Sequence, residues 1–286
     1  MTTHILKTTD LVDVDRDPDR TPIAPGLGFP DDRGISPSGL EVIYPKGNIV
    51  DWSNGRVARG VASSDALIDD TRQLPDDDSW ATKKRLRAIV RKAMELGGGN
   101  VGSGNGSAIH GAIDFVHSGG RIEEIANPLA RRGAQAFVHV TGVLGATVLG
   151  TEIQVASPEL GTLGKTDGVL ATRKTPAAVF DTKSNKPGSE GYASTRASWL
   201  LQAYSYAHSK PYCAMRGLLE WSDLGMPEPS RQKALVIHLP AVDMSQAKVH
   251  VLDLTGAEPL VRLALAVHAA RRDPVNVLTT YDVGAP

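Results

Sequence analysis

TLGKTDGVLATRKTPAAVFDTK, residues 162–183, is the stretch whose reading decides this chain. It reads as two adjacent strands. The first, Thr162 to Thr172, alternates loosely and carries Asp167 behind Gly164; the second, Ala177 to Lys183, begins apolar and turns abruptly polar. Side chains alternate along a strand, so Asp181 and Lys183 share a face while Thr182 points away and leaves its carbonyl near them. Asp167, Asp181 and Lys183 are thereby expected at one edge. Carboxylates held that close repel one another and lose hydration, and a hard divalent cation, magnesium or manganese, is the usual compensation. Such an ion activates water beside a phosphate.

Downstream, SNKPGSEGY (184–192) reads as a loop, and a helix is expected from about Ser189 to Ser209. On that helix Arg196, Trp199, Gln202 and Tyr206 recur three or four apart and share a face. Trp199 and Tyr206 also fit as core aromatics with satisfied polar tips. Lys186 and Arg196 are basic side chains of the kind that meet a phosphate backbone. Upstream, ATVLGTEIQVASPELG (146–161) reads as the first strand of a central sheet and a turn, with Glu152 either near the site through water or on the surface. NPLARRGAQAFVHVTGVLG (127–145) reads as a helix opened by Pro128, its β-branched residues leaving a strand open. GGGNVGSGNGSAIHGAID (97–114) breaks one helix and starts another, capped by Asn105 or Ser107, with Ala108, Ile109, Ala112, Ile113 and Val116 apolar. Small residues around His110 allow that backbone to approach a sheet closely.

The order Gly-x-x-Asp (164–167), Asp-x-Lys (181–183), Gln-x-x-x-Tyr (202–206), preceded by a helical histidine at 110, resembles the PD-(D/E)xK nuclease superfamily and, within it, the RecB-like exonuclease branch. The resemblance runs from about residue 104 to 254. It implies an α/β fold: a central mixed β-sheet flanked by helices, a restriction-endonuclease-like core with a helical N-terminal portion. It also implies a metal-dependent deoxyribonuclease holding one or two Mg2+ or Mn2+ ions on His110, Asp167, Asp181 and the Thr182 carbonyl. Lys183 would orient the attacking water, Gln202 and Tyr206 would steady the site, and Glu152 matches an acidic residue that often opens this strand in the family. Histidine suits manganese better than magnesium, so activity with both and a preference for manganese are expected. The branch implies DNA ends as substrate, single-stranded ends among them, in recombination, repair or phage DNA metabolism, with a helicase or recombinase as a partner. A structure-specific endonuclease and a non-catalytic DNA-binding or interaction module on a nuclease fold are the alternatives.

Composition narrows this further. The chain has 286 residues, a net charge of -1 and a single cysteine, Cys213. That charge excludes a uniformly basic surface, so nucleic-acid affinity must come from a local patch. One cysteine excludes an internal disulfide and a cysteine-held iron-sulfur cluster, which separates the chain from the CRISPR-associated exonucleases it otherwise resembles. No apolar run is long enough to span a bilayer and no signal-peptide core is present, so no membrane partner and a cytoplasmic location are expected, host cytoplasm if phage-encoded. Gly164-Lys165-Thr166 copies the end of a P-loop, but Glu159 stands where its first glycine is required.

Residues 1–36, crowded with Asp, Pro and Gly, read as an irregular arm, and 37–286 as one nuclease domain. LEVIYPKGNIVDW (40–52) looks like a hairpin turning near Pro45 to Asn48, followed by a helix beginning at Ser63 or Ser64. SWATKKRLRAIVRKAMELGGG (79–99) reads as a helix capped by Asp78 or Ser79 with an apolar stripe of Leu86, Ile89, Val90, Ala93 and Leu96. Its basic face, Lys83, Lys84, Arg85, Arg87, Arg91 and Lys92, fits either a solvated surface or a ridge that tracks phosphates. KALVIHLPAVDMSQAKVHVLDL (233–254) supplies two strands around a turn near Asp243 to Gln246. A last helix, 256–272, is expected to pack Leu260, Leu263, Ala264, Leu265 and Val267 inward.

Overall fold

The computed structural model describes residues 27, 34–43, 47–99, 101–185 and 187–272. The chain forms two compact units, residues 45–135 and residues 1–44 with 136–286. The first is helical: α1 (Gly47–Ala62), α2 (Asp65–Arg72), α3 (Trp80–Leu96) and α4 (Val101–His117), with the start of α5 (Pro128–Leu144). Ser64 caps α2 by accepting from the Leu67 N–H, and Ser79 caps α3 by accepting from the Thr82 N–H. The start of α2 is where the sequence placed it, and of the two candidate caps for α3, Asp78 and Ser79, it is Ser79 that serves.

The hairpin expected at 40–52 does not form. Residues Pro37–Ile43 make a 3-10 turn and α1 begins at Gly47; Tyr44 to Lys46 lie outside the described residues. Tertiary packing overrules the strand propensity of this run. Val57 and Val61 of α1 pack with Leu67, Ile89 and Ala93, and Gly60 meets α3 so closely that an added Cβ would stand 1.7 Å from the Ala93 carbonyl oxygen. The stripe expected on α3 is narrower than its sequence suggests: Ile89 and Ala93 are buried, whereas Leu86, Val90 and Leu96 are exposed. The second helix starts at Val101, so Asn105 and Ser107 lie inside α4 rather than capping it. Burial of Ile109, Ala112 and Ile113 outweighs the poor helix propensity of the glycines before them.

The second unit is α/β, and its centre is a seven-stranded mixed sheet. β1 (Thr147–Ser157), β2 (Thr162–Thr172) and β3 (Thr175–Lys183) form an antiparallel meander. After α6 (Ala193–Ala207), β4 (Lys210–Cys213) joins the free side of β1 and carries the two-residue β5 (Gly217–Leu218). β6 (Lys233–His238) lies parallel to β3, β7 (Lys248–Asp253) closes that side antiparallel to β6, and α7 (Glu258–Arg272) follows. The order is therefore β5-β4-β1-β2-β3-β6-β7. A strand's successive side chains point to opposite faces, and this decides what covers β3. Phe180 packs on Phe137 of α5, ring centroids 5.6 Å apart, while Lys183 reaches Gln202 of α6. Helices thus lie on both faces.

Burial on both faces explains why β3 reads as an apolar run rather than as an alternating one. α6 is buried nearly all round from Leu201 to Ala207, as a central helix must be. Leu40, fully buried, plugs the core against α6 and α7, and Ile35 bridges to Thr162 of β2. On α7, Val261 and Ala264 face inward, but Leu263 is exposed, one position off the expected face. Most of the 1–36 arm lies outside the described residues, among which no helix is long and apolar enough to cross a membrane.

Candidate active site

Between β1 and β2 the pairing runs to Thr151↔Gly168 and resumes at Ile153↔Thr166. Glu152 and Asp167 stand opposite each other in the gap. Glu152 has φ 54°, the one non-glycine residue in the left-handed region among those described, a conformation that costs on the order of 1–3 kcal/mol. Its carboxylate and that of Asp167 bring oxygens within 4.8 Å of one another, and Lys165 pairs with Glu152 at 2.5 Å. Beside them Gly168 is enforced by close packing: an added Cβ would lie 2.2 Å from the Gly150 carbonyl oxygen and 2.6 Å from the Phe180 ring.

β2 and β3 separate at the same point. Their ladder ends at Gly168↔Phe180, and the next N–H of β3 on that side, that of Thr182, donates instead to Asp167 Oδ2. The N–H and C=O of one strand residue leave on the same side, so the Thr182 carbonyl also faces the Asp167 side. Asp181 and Lys183, two apart, do meet: Lys183 Nζ lies 2.8 Å from Asp181 Oδ2. The same ammonium donates to Gln202 Oε1 at 2.7 Å, and Gln202 Nε2 donates to the Tyr206 hydroxyl at 3.1 Å. A relay of side chains from α6 therefore fixes Lys183. Burial, and then the negative charges of Asp181 and Asp167, push the Tyr206 hydroxyl above the usual tyrosine value, so the phenol stays neutral.

The structure thus brings together Glu152, Asp167, Asp181, Lys183, Gln202 and Tyr206, with the Thr182 backbone among them. Arg196 is exposed on the first turn of α6, and Lys186 lies outside the described residues. His110 lies on α4 in the helical unit. Lys165 was visible in the sequence only as part of a failed P-loop; its pairing with Glu152 depends on the gap between β1 and β2, which no local pattern announces. The carboxylates offer hard oxygen donors of the kind that hold divalent cations. With one cysteine in the chain, a cluster held by several of its own thiolates is excluded. No protein-family model and no curated protein matches the chain.

Proposed function

We propose that this chain is a metal-dependent deoxyribonuclease of the PD-(D/E)xK type, acting as an exonuclease at DNA ends. The observation that carries the reading is the convergence of Asp167, Asp181 and Lys183 at a point where the sheet opens, with Lys183 held between Asp181 and Gln202. A structural ion pair needs one carboxylate, yet the charges of Asp167 and Glu152 join that of Asp181 at the Tyr206 hydroxyl. The donor set fits Mg2+ or Mn2+, held by Asp167, Asp181 and the Thr182 carbonyl, with His110 added by the resemblance. A divalent ion there supplies Lewis acidity toward a phosphate oxygen and a water that ionises near neutral pH.

The chain's own residues do the rest. Lys183 orients the attacking water and offsets the extra negative charge of the pentavalent phosphorus. Gln202 accepts from Lys183 and so fixes the direction of its ammonium; Tyr206, kept protonated, anchors Gln202 through its hydroxyl oxygen. Arg196, exposed at the mouth of α6, is the contact for the DNA backbone.

The test is cleavage of end-labelled linear and covalently closed circular DNA, single- and double-stranded, with manganese, magnesium or EDTA. Wild type is compared with Lys183→Ala, whose folding is checked by circular dichroism. Metal-dependent loss of linear DNA alone, absent in the variant, is expected. Cutting of circles makes the enzyme an endonuclease. DNA binding without cutting under any condition overturns catalysis and leaves a binding module.

A further inference from the structure

One strand over from Lys183, a second group of polar atoms converges with nothing among the described residues to satisfy it. His238 is the parallel partner of Lys183 in the β3–β6 ladder, His250 stands on β7, and Glu190 lies in the 3-10 turn Ser189–Gly191 before α6. The two rings and the carboxylate offer ligand atoms that all lie within 4.8 Å of one another. Glu190 Oε2, His238 Nδ1 and His250 Nε2 are each buried, and no hydrogen-bond partner reaches any of them among the described residues. Orphaned buried polar atoms are rare, and three aimed at one point call for a common cause.

The tautomer of His238 sharpens this. Its Nε2 faces the Asn185 carbonyl oxygen at 3.1 Å, and a carbonyl only accepts, so Nε2 carries the hydrogen and Nδ1 of the neutral ring keeps its lone pair. That lone pair faces Glu190 Oε2 across 3.7 Å, acceptor to acceptor, too far for a direct hydrogen bond. Two ligand atoms about 2.1 Å from a tetrahedral ion stand about 3.4 Å apart, close to this separation. A ring whose far nitrogen donates to a backbone carbonyl is the usual arrangement of a metal-ligating histidine. His238 is 1% exposed, and Trp199 closes one side, its ring 5.9 Å from His238 and 5.6 Å from His250. Lys248 Nζ holds the other Glu190 oxygen at 3.1 Å and orients the carboxylate.

We propose that Glu190, His238 and His250 form a binding site for a divalent first-row transition ion of the zinc class, separate from the carboxylates around Asp167. Two imidazoles and one carboxylate suit such an ion better than magnesium, which prefers oxygen alone. The site ties the turn before α6 to β6 and β7, and so fixes the start of the helix that carries Gln202 and Tyr206. This inference does not depend on nuclease activity.

The experiment uses the full chain, stripped with a chelator and titrated with zinc alone by calorimetry, and with cobalt alone as a visible-absorption probe. Wild type is compared with Glu190→Gln, His250→Ala and, as a control at the other acids, Asp181→Asn. The expected result is one tight zinc per chain in wild type and in Asp181→Asn, a zinc-dependent rise in Tm, and affinity at least about tenfold weaker in Glu190→Gln and His250→Ala. His250, only half-buried, tolerates truncation better than His238. Zinc uptake unchanged in both ligand variants, uptake lost only in Asp181→Asn, or no uptake by wild type each overturns the proposal.

Discussion

Among the described residues the buried polar side chains lie in the sheet unit, while the side chains buried in the helical unit are apolar. On β3 the run from Ala177 to Thr182 is buried and includes Asp181, whereas α3 leaves Leu86, Val90 and Leu96 at 44%, 38% and 52% exposure. A stray leucine at the surface costs little, but a buried carboxylate demands a partner. Asp181 has Lys183, Lys183 has Gln202, and Gln202 has Tyr206. The polar interior of the sheet unit is therefore a set of dependent choices, and the surface of the helical unit a set of independent ones. Substitutions in the first should propagate; those in the second should not.

The strongest way to break this contrast is Asp181→Ala. It should reduce metal-dependent DNA cleavage to the level seen with EDTA and also lower stability by up to about 3 kcal/mol, because Lys183 loses its ion-pair partner in a largely buried setting. Cleavage and urea denaturation measured on the same preparations would check both; wild-type cleavage would remove the metal mechanism. Next comes a matched pair of truncations. Leu40→Ala, at a fully buried plug of the sheet unit, should cost about 2–5 kcal/mol, whereas Leu86→Ala on α3 should stay within about 0.5 kcal/mol by the same denaturation.

Glycine substitutions sharpen the comparison inside the helical unit. Gly60→Ala should destabilise by about 1–3 kcal/mol, since its Cβ would overlap the Ala93 carbonyl. Gly104→Ala, with nothing within 4 Å of its Cβ, should stabilise α4 by about 0.5–1 kcal/mol. Equal effects at the two would show that helix propensity outweighs packing there. The smallest effect is confined to alkaline solution. The folded Tyr206 value lies above the usual 10.0, so its contribution is fully present below pH 10 and is lost as the pH rises beyond it. Tyr206→Phe should flatten that part of a Tm-versus-pH profile relative to wild type.

What the sequence disclosed follows the same division. β1, β2, β3, β6 and β7 were legible because each carries its own pattern of apolar and polar residues. The meeting of Asp181 with Lys183 needed only strand alternation, and that of Gln202 with Tyr206 only helical spacing. By contrast, the start of α1 reads as half a hairpin because its helical state rests mainly on contacts with α3, which lies beyond α2 in the sequence. β4 went unseen because four residues beginning with Lys-Pro give no strand pattern of their own. The left-handed Glu152 and the paired breaks in the ladder at Asp167 are properties of two strands together. Glu190, His238 and His250 were invisible for a stronger reason. They come from three elements joined through the parallel β3–β6 pairing, and no spacing in one stretch encodes that.

Leu40 sets the order in which the protein can be made. It is synthesised before the whole of the sheet, α6 and α7, yet the core it fills is closed by α6 and α7 and exists only once both have followed. Until then this apolar segment has no home, and the helical residues 45–135 are complete while the sheet unit around them in sequence is not. Closing that long loop, rather than forming any helix, is the slow event the topology imposes on synthesis.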